Sequence, residues 1–224
     1  MADFPFDVVA FDLDGTLADT APDLAAALNH TLGVLGRPTV DPDSVSHLVG
    51  QGARALLRKA LGDGDEGLID RAFPIYLDFY AANICVGTRC YPAIEAAMDA
   101  LAARGVRLAI CTNKPERLTH LLIDALGWQG RFAAIVGADT LPVRKPDPQP
   151  LHEAIARAGG GRAAYVGDSI TDADTARAAG VPFVAVSFGF SDRPVEQLGA
   201  DAVIDSYAEL VATLGRLGSA TGSP

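Results

Sequence analysis

Nothing in the 224-residue sequence stays apolar for the roughly 18 residues that a membrane-spanning helix needs, so a soluble protein is expected. The opening stretch, MADFPFDVVAFDLDGT, lacks a basic segment ahead of an apolar one and is broken early by acids, so it is not expected to act as a secretory signal. Positive charge is scarce: 18 Lys and Arg stand against 28 Asp and Glu, a formal net charge of -10. Binding nucleic acid needs clustered Lys and Arg to neutralise phosphates, so that class of partner is excluded, and anionic membranes are disfavoured on the same ground. Cysteine is sparse and odd in number. Cys85, Cys90 and Cys111 show no zinc-type spacing, and buried free thiols in a reducing cytoplasm are the expectation. The four histidines, His30, His47, His120 and His152, have no metal-like spacing either and read as surface or helix-packing residues. The single tryptophan, Trp128, follows a helix end and reads as packing.

What is present is an ordinary globular composition, 49% hydrophobic and 21% charged, with enough apolar mass for a core. The run FDVVAF at 6–11 reads as a buried strand and is followed by a polar, Gly-containing loop. A helical pattern starts near Pro22 and ends at Gly36, and only helical signals follow from Asp41 to Gly87. After Tyr91-Pro92 strands and helices alternate. The strands RLAICT, FAAIVG, AAYVG and PFVAVSF are each preceded by a helix, over 93–103, 116–126, 150–158 and 172–179, and DAVID and a closing helix over 207–217 come last. Such alternation implies a parallel sheet with helices on both faces, with ligands beyond the carboxyl ends of the strands. The expected architecture is therefore α/β: a doubly wound, Rossmann-like core (1–16 and 88–217), an all-helical cap inserted after the first strand (17–87), and a small polar disordered tail (218–224).

Chemistry gathers at the strand ends. In FDLDGTLADT, Asp12 and Asp14 follow the first strand at spacing two, so both can project into the crevice above the sheet. Gly15 permits a sharp turn, and Thr16 and Asp19 add polar groups. Two carboxylates this close repel unless a cation separates them or one holds a proton, so a magnesium-type ion is the natural companion. Later strands end in Thr112, Asn113 and Lys114, in the Pro-fixed loop carrying Arg144 and Lys145, and in Asp168 and Ser169 with Asp172 close behind. Each has a plain alternative. Thr112 and Asn113 could cap the next helix, Arg144 and Lys145 could be solvated, and Asp168 and Ser169 could be an N-cap. Together they put acids, a hydroxyl and a cation at one edge of one sheet.

These segments resemble the haloacid dehalogenase-like hydrolase superfamily over nearly the whole chain. FDLDGTLADT is similar to its DxDGTLxDS/T signature, CTNK to its second motif, RKPDP to its lysine motif, and GDSITD to its GDxxxD acid motif. Within it the chain resembles the phosphoglycolate phosphatase group, through CTNKP, RKPDP, YVGDS, VGQGARALL and GADAVIDSYAEL. The resemblance implies a Mg2+-dependent phosphatase of small phosphorylated metabolites, with 2-phosphoglycolate as the substrate to test first. Asp12 would be the nucleophile and Asp14 the general acid and base. Asp12, the backbone carbonyl of Asp14 and Asp168 would hold the metal. Thr112, Asn113 and Lys145 would hold the phosphoryl oxygens, with Asp172, Ser169 and Thr16 as the supporting shell. Gly50, Gly52, Arg54 and Lys114 are the candidates for substrate specificity. Arg54 could form a bidentate pair with a substrate carboxylate, or could equally be a surface residue at a helix joint. Either a monomer or a homodimer is compatible.

Three rivals stand beside a phosphatase. A phosphomutase on the same fold commonly carries a bulkier residue where this chain has Thr16. A dehalogenase needs no acid at position 14. A silent binding protein would have lost Asp12, Asp14, Lys145 or Asp168, and all four are present. A phosphatase for sugar phosphates shares much of the subfamily pattern. Two weaker signals are set aside: GDGDEG at 62–67 follows a helix and would repel a pyrophosphate, and the sequon at Asn29 lies in a helical stretch.

Overall fold

The computed structural model describes residues 4–46, 49–62, 65–191 and 193–220. His47 and part of the 62–67 loop therefore lie outside the described residues. Six parallel strands make the main sheet: β1 (Val8–Phe11), β4 (Arg107–Cys111), β5 (Ala134–Val136), β6 (Ala163–Gly167), β7 (Phe183–Val186) and β8 (Ala202–Ile204), in the order β5-β4-β1-β6-β7-β8. β1 is central and pairs with β4 on one side and β6 on the other. All four of its residues are buried, as expected of a strand covered on both faces. Its alternation divides the core. Val9 and Phe11 join a cluster with Ile94, Leu101 and Tyr207, while Val8 and Ala10 join one with Leu151, Ala173 and Phe183.

Helices α4 (Ile94–Ala102), α5 (Glu116–Ala125), α6 (Gln149–Arg157), α7 (Ile170–Ala179) and α8 (Leu210–Ala220) flank the sheet. The alternation read from sequence is thus present, strand for strand. The last helix extends to Ala220, so residues 218–220 are helical and not part of a disordered tail; residues 221–224 lie outside the described residues. No helix among the described residues is long and apolar enough to cross a membrane.

Between the first strand and α4 lie α1 (Ala21–Val34), α2 (Ala53–Leu61) and α3 (Glu66–Ala82), which bury a third cluster including Leu28, Leu57, Tyr76 and Tyr80. Leu118 of α5 packs into that cluster and ties it to the sheet layer. The chain enters and leaves this helical block through a two-stranded antiparallel ribbon, β2 (Ala18–Asp19) with β3 (Arg89–Cys90). Two residues a side are too few to show a periodic pattern, so the ribbon was not legible in the sequence. Asp23 fastens the same junction, accepting from Gly87 N at 2.7 Å and from Thr88 N and Oγ1 at 2.8 and 2.7 Å. Asn29, the sequon residue, exchanges two hydrogen bonds with the Val40 backbone and fixes the turn after α1. The cysteines only partly match expectation: Cys111 is buried in β4, but Cys85 is half-buried and Cys90 is exposed on the ribbon. Trp128 is buried, its indole N–H donating to Glu95.

Candidate active site

Three chain segments converge at the carboxyl edge of the sheet beside β1. Asp12 is the first residue after β1, Thr112 and Asn113 follow β4, and Asp168 follows β6. Asp12, Thr112, Asn113, Lys114, Lys145, Asp168 and Asp172 are all buried. Such burial of charged groups needs compensation. Lys145 supplies some: its Nζ lies 2.6 Å from Asp172 Oδ1, 2.9 Å from Tyr165 Oη and 3.0 Å from Asp12 Oδ1. Only the first two contacts have hydrogen-bond geometry, and Asp12 Oδ1 is left without a hydrogen-bond partner. Of the two solvated charges allowed for in RKPDP, Arg144 is exposed but Lys145 is not.

Asp172 is saturated. Oδ1 accepts from Lys145 and from Tyr165 Oη at 2.8 Å. Oδ2 accepts from Ser169 Oγ at 2.6 Å, Ser169 N at 3.1 Å and Asp168 N at 3.3 Å. Ser169 and Asp172 form a capping box at the start of α7, so the N-cap alternative is correct for Ser169 and coexists with the site. The alternative fails for Thr112 and Asn113: α5 is capped by Pro115 without a side-chain bond. Instead Asn113 Nδ2 donates to Gly50 O and Lys145 O, both at 3.2 Å, and its Oδ1 is buried without a partner.

Asp168 accepts from Thr16 Oγ1 at 2.8 Å and from Phe190 N at 2.6 Å. Tyr207 Oη in turn donates to Thr16 O at 2.7 Å. Gly15, at φ +85°, faces this carboxylate so closely that a Cβ there would collide with Asp168 Oδ2. Asp14 stands apart from the other acids: its Oδ1 accepts from Lys114 Nζ at 2.7 Å and Thr20 Oγ1 at 2.8 Å. Asp19 only starts α1, accepting from Ala21 N.

The charge balance of the cluster is lopsided. Carboxylate oxygens of Asp12, Asp168 and Asp172 lie within 4.8 Å of one another. Three buried carboxylates face one ammonium, Lys145, which leaves two negative charges over. The strain shows in the acidities. Burial pushes Asp12 up to about 6, with Lys145 pulling it back and Asp172 and Asp14 pushing further. Burial also drives Asp168 well above the usual carboxylate range, with Asp172 and Asp12 adding to it. Asp172 goes the other way: burial opposes its charge, but the Lys145 ammonium and the donated hydrogen bonds outweigh burial and hold it low. Burial likewise works against the Lys145 charge, yet Asp12 and Asp172 keep it firmly protonated. A divalent cation with hard oxygen ligands is what this donor set fits. Asp12 Oδ1 accepts no hydrogen bond and has only the Lys145 charge beside it, and Asp168 is already oriented by Thr16 and Phe190. Asp172 lies within reach, but both its oxygens are engaged.

A cavity of about 40 Å³ opens over Asp12 and Asp14, lined also by Thr112, Asn113, Lys114 and the helical block. Gly50 and Gly52 line it too. A Cβ on Gly52 (φ +87°) would sit 3.2 Å from Asn113 O, so the helical block's backbone passes close to the sheet layer here. Arg54 is not among the cavity-lining residues. It pairs with Asp70, lies 3.9 Å from Glu66 and stacks 5.0 Å from the Phe73 ring centroid, so the surface alternative holds for it. Tyr76, Tyr80 and Phe190 entered the site without any motif to mark them, whereas Thr20, Tyr165 and Tyr207 lie within FDLDGTLADT, YVGDS and GADAVIDSYAEL but were given no role there. The i, i+4 spacing of Tyr76 and Tyr80 on one helix face was the one available signal.

With this geometry in view, the profile of the haloacid dehalogenase-like hydrolases matches residues 9–186. The chain belongs to that family. Curated relatives include a phosphoglycolate phosphatase of Mesorhizobium japonicum, 45% identical, with 92% of this chain and 94% of the relative aligned. Another, from Agrobacterium fabrum, is 43% identical over 91% of this chain and 90% of its own. Among solved structures, a predicted phosphoglycolate phosphatase from Haemophilus somnus superimposes with a TM-score of 0.85 at 29% identity, over 93% of this chain and 98% of that one. CbbY from Rhodobacter sphaeroides, solved in complex with phosphate, does so with a TM-score of 0.79 at 25% identity, over 92% and 96%.

Proposed function

We propose that this hydrolase is a Mg2+-dependent phosphomonoesterase that works through an aspartyl-phosphate on Asp12, with 2-phosphoglycolate as its substrate. The observation that carries the reading is the cluster of three buried carboxylates around one lysine, with Asp12 Oδ1 facing the Lys145 ammonium at 3.0 Å but accepting no well-aligned hydrogen bond. Asp12, the backbone carbonyl of Asp14 and Asp168 would hold the ion. Bound there, magnesium supplies the positive charge that keeps Asp12 ionised and offsets charge on the phosphoryl oxygens.

The rest falls to this chain's own residues. A carboxylate oxygen of Asp12 attacks phosphorus while the ester P–O bond breaks, and the leaving alkoxide takes a proton from Asp14. Water then attacks the phosphorus of the aspartyl-phosphate, Asp14 takes up its proton, and the bond to Asp12 breaks to release phosphate. Asp14 Oδ1 is held by Thr20 and Lys114, which leaves Oδ2 without a donor among the described residues and available for proton exchange. Thr112, Asn113 and Lys145 position and neutralise the phosphoryl group, which is most of what such a transfer needs.

The substrate assignment draws on the relatives' names. The helical block of α1 to α3 would act as the cap that covers the bound ester and excludes water. Phosphate release from a panel of phosphomonoesters, with and without magnesium, tests the reading. A magnesium-dependent kcat/KM at least about tenfold higher for phosphoglycolate than for sugar phosphates is expected. Preferred hydrolysis of sugar phosphates would overturn the substrate, and phosphate migration within a hexose phosphate without release would overturn the hydrolase.

A further inference from the structure

The chemistry above leaves one side of the cavity unused. Tyr76 lines it, is 1% exposed, and its hydroxyl has no hydrogen-bond partner among the described residues. An unsatisfied buried hydroxyl is costly, so its persistence in a pocket points to a ligand. One turn further along α3, Tyr80 Oη accepts from Lys114 Nζ at 2.7 Å but donates to no described residue. Lys114, 4% exposed, uses two of its three N–H bonds, on Asp14 and Tyr80. Burial, with Asp14 adding to it, keeps both phenols protonated, so each offers an O–H.

Three donors without acceptors therefore meet in one small cavity. Lys114 is its one cation among the described lining residues, and Leu24, Val49, Leu56 and Leu118 supply aliphatic walls. Two phenol O–H groups and an ammonium N–H left free to donate on one side of the cavity suit an anionic group. Arg54 is occupied on the outer face of the helical block and does not compete for the role. We propose that Tyr76, Tyr80 and Lys114 form a subsite for the carboxylate of a two-carbon phosphomonoester, and that this subsite discriminates such a substrate from esters of the same size without the acid. The inference rests on reading the cavity as a phosphomonoesterase site. A pocket built to hydrogen-bond a group rejects analogues lacking it far more strongly than an apolar pocket rejects an extra methylene.

The test uses a matched pair of non-hydrolysable probes, phosphonoacetate and ethylphosphonate, which differ in carboxylate against methyl. Their binding to the full chain is measured by calorimetry with magnesium present. Wild type is expected to bind phosphonoacetate at least about tenfold tighter. In Tyr76→Phe, which removes only an unpartnered hydroxyl and so keeps the packing, that ratio is expected to fall at least about fivefold, and likewise in Tyr80→Phe. No carboxylate preference in wild type, or an unchanged ratio in both variants, overturns the subsite. Phosphate release by wild type is read separately: its absence from every ester defeats the hydrolase reading, while the ratio of the two affinities still judges the subsite.

Discussion

Lys145 sits closer to Asp172 than to Asp12, at 2.6 Å against 3.0 Å. Asp172 is fixed in turn by Ser169 at the start of α7 and by Tyr165 on β6. The lysine is thus oriented by a residue that needs no contact with substrate, and Asp12 receives its charge at a distance set by the α7 cap. In the proposed mechanism this would make Asp172 a positioning residue. Asp172→Asn is expected to lower kcat about 10–100-fold. Because the effect should act through Lys145, KM should move less than kcat. A change confined to KM would contradict the role.

Lys145→Met removes the single ammonium facing three buried carboxylates. Breaking a buried pair by deleting one partner costs about 3–5 kcal/mol. Urea denaturation in EDTA should show a loss of that order, and magnesium should recover a larger share of stability in the variant than in wild type. A variant as stable as wild type without metal would mean that the carboxylates are not charged together.

Asp12→Asn separates activity from stability. Turnover is expected to drop by at least about a thousandfold, since the attacking oxygen is lost. Stability in EDTA should not fall, because the change removes one of the mutually repelling acids. Near-wild-type activity in the purified variant would defeat the nucleophile assignment, and a collapse in Tm would defeat the charge argument.

The response to pH has a definite sign. Asp12 is raised from 3.8 to about 6 in the folded protein, so the folded state binds more protons across that window. Its contribution to stability is present below 3.8 and is lost as pH rises through about 6. Asp168 shifts in the same direction, whereas Asp172 is held low and adds stability that disappears only in acid. Raising Asp12 that far corresponds to about 3 kcal/mol. Magnesium should relieve this strain, so its Tm increment should be several degrees larger at pH 7.5 than at pH 5, given about 2–4 °C per kcal/mol. An equal or larger increment at pH 5 would argue against metal binding by these acids.

Much of this was legible in the sequence because strand ends are where polarity interrupts apolar runs. Asp12, Thr112, Asn113 and Asp168 each stand directly after a run rich in Val, Ile or Ala, and topology then gathers them. Lys145 and Asp172 were visible as residue types, but which carboxylate the lysine binds depends on how α7 is capped, which is a tertiary fact. The partners of Asp168 and Lys114 lie far along the chain: Phe190 is 22 residues from Asp168, and Tyr80 is 34 from Lys114. No local pattern encodes such pairings. The short β2–β3 ribbon escaped because two residues a side show no period, and Cys90 on it is exposed where the cysteine count and spacing lead to an expectation of burial.

Arg54 shows the limit of reading residue type without its neighbours. Next to a Gly-rich turn it suits a substrate carboxylate, but Asp70 and Glu66 on α3 claim its guanidinium and Phe73 lies beneath it. These partners are exposed, so the pairs are worth only about 0.2–1 kcal/mol each, yet they are enough to keep the side chain on the outer face of the helical block. Arg54→Ala is therefore expected to leave kcat/KM for phosphoglycolate within about twofold and to lower stability by about 1 kcal/mol. Parallel steady-state kinetics and urea denaturation check both halves. A fall in kcat/KM of tenfold or more with stability intact would mean that Arg54 leaves Asp70 to meet the substrate, and would move the carboxylate contact away from Tyr76, Tyr80 and Lys114.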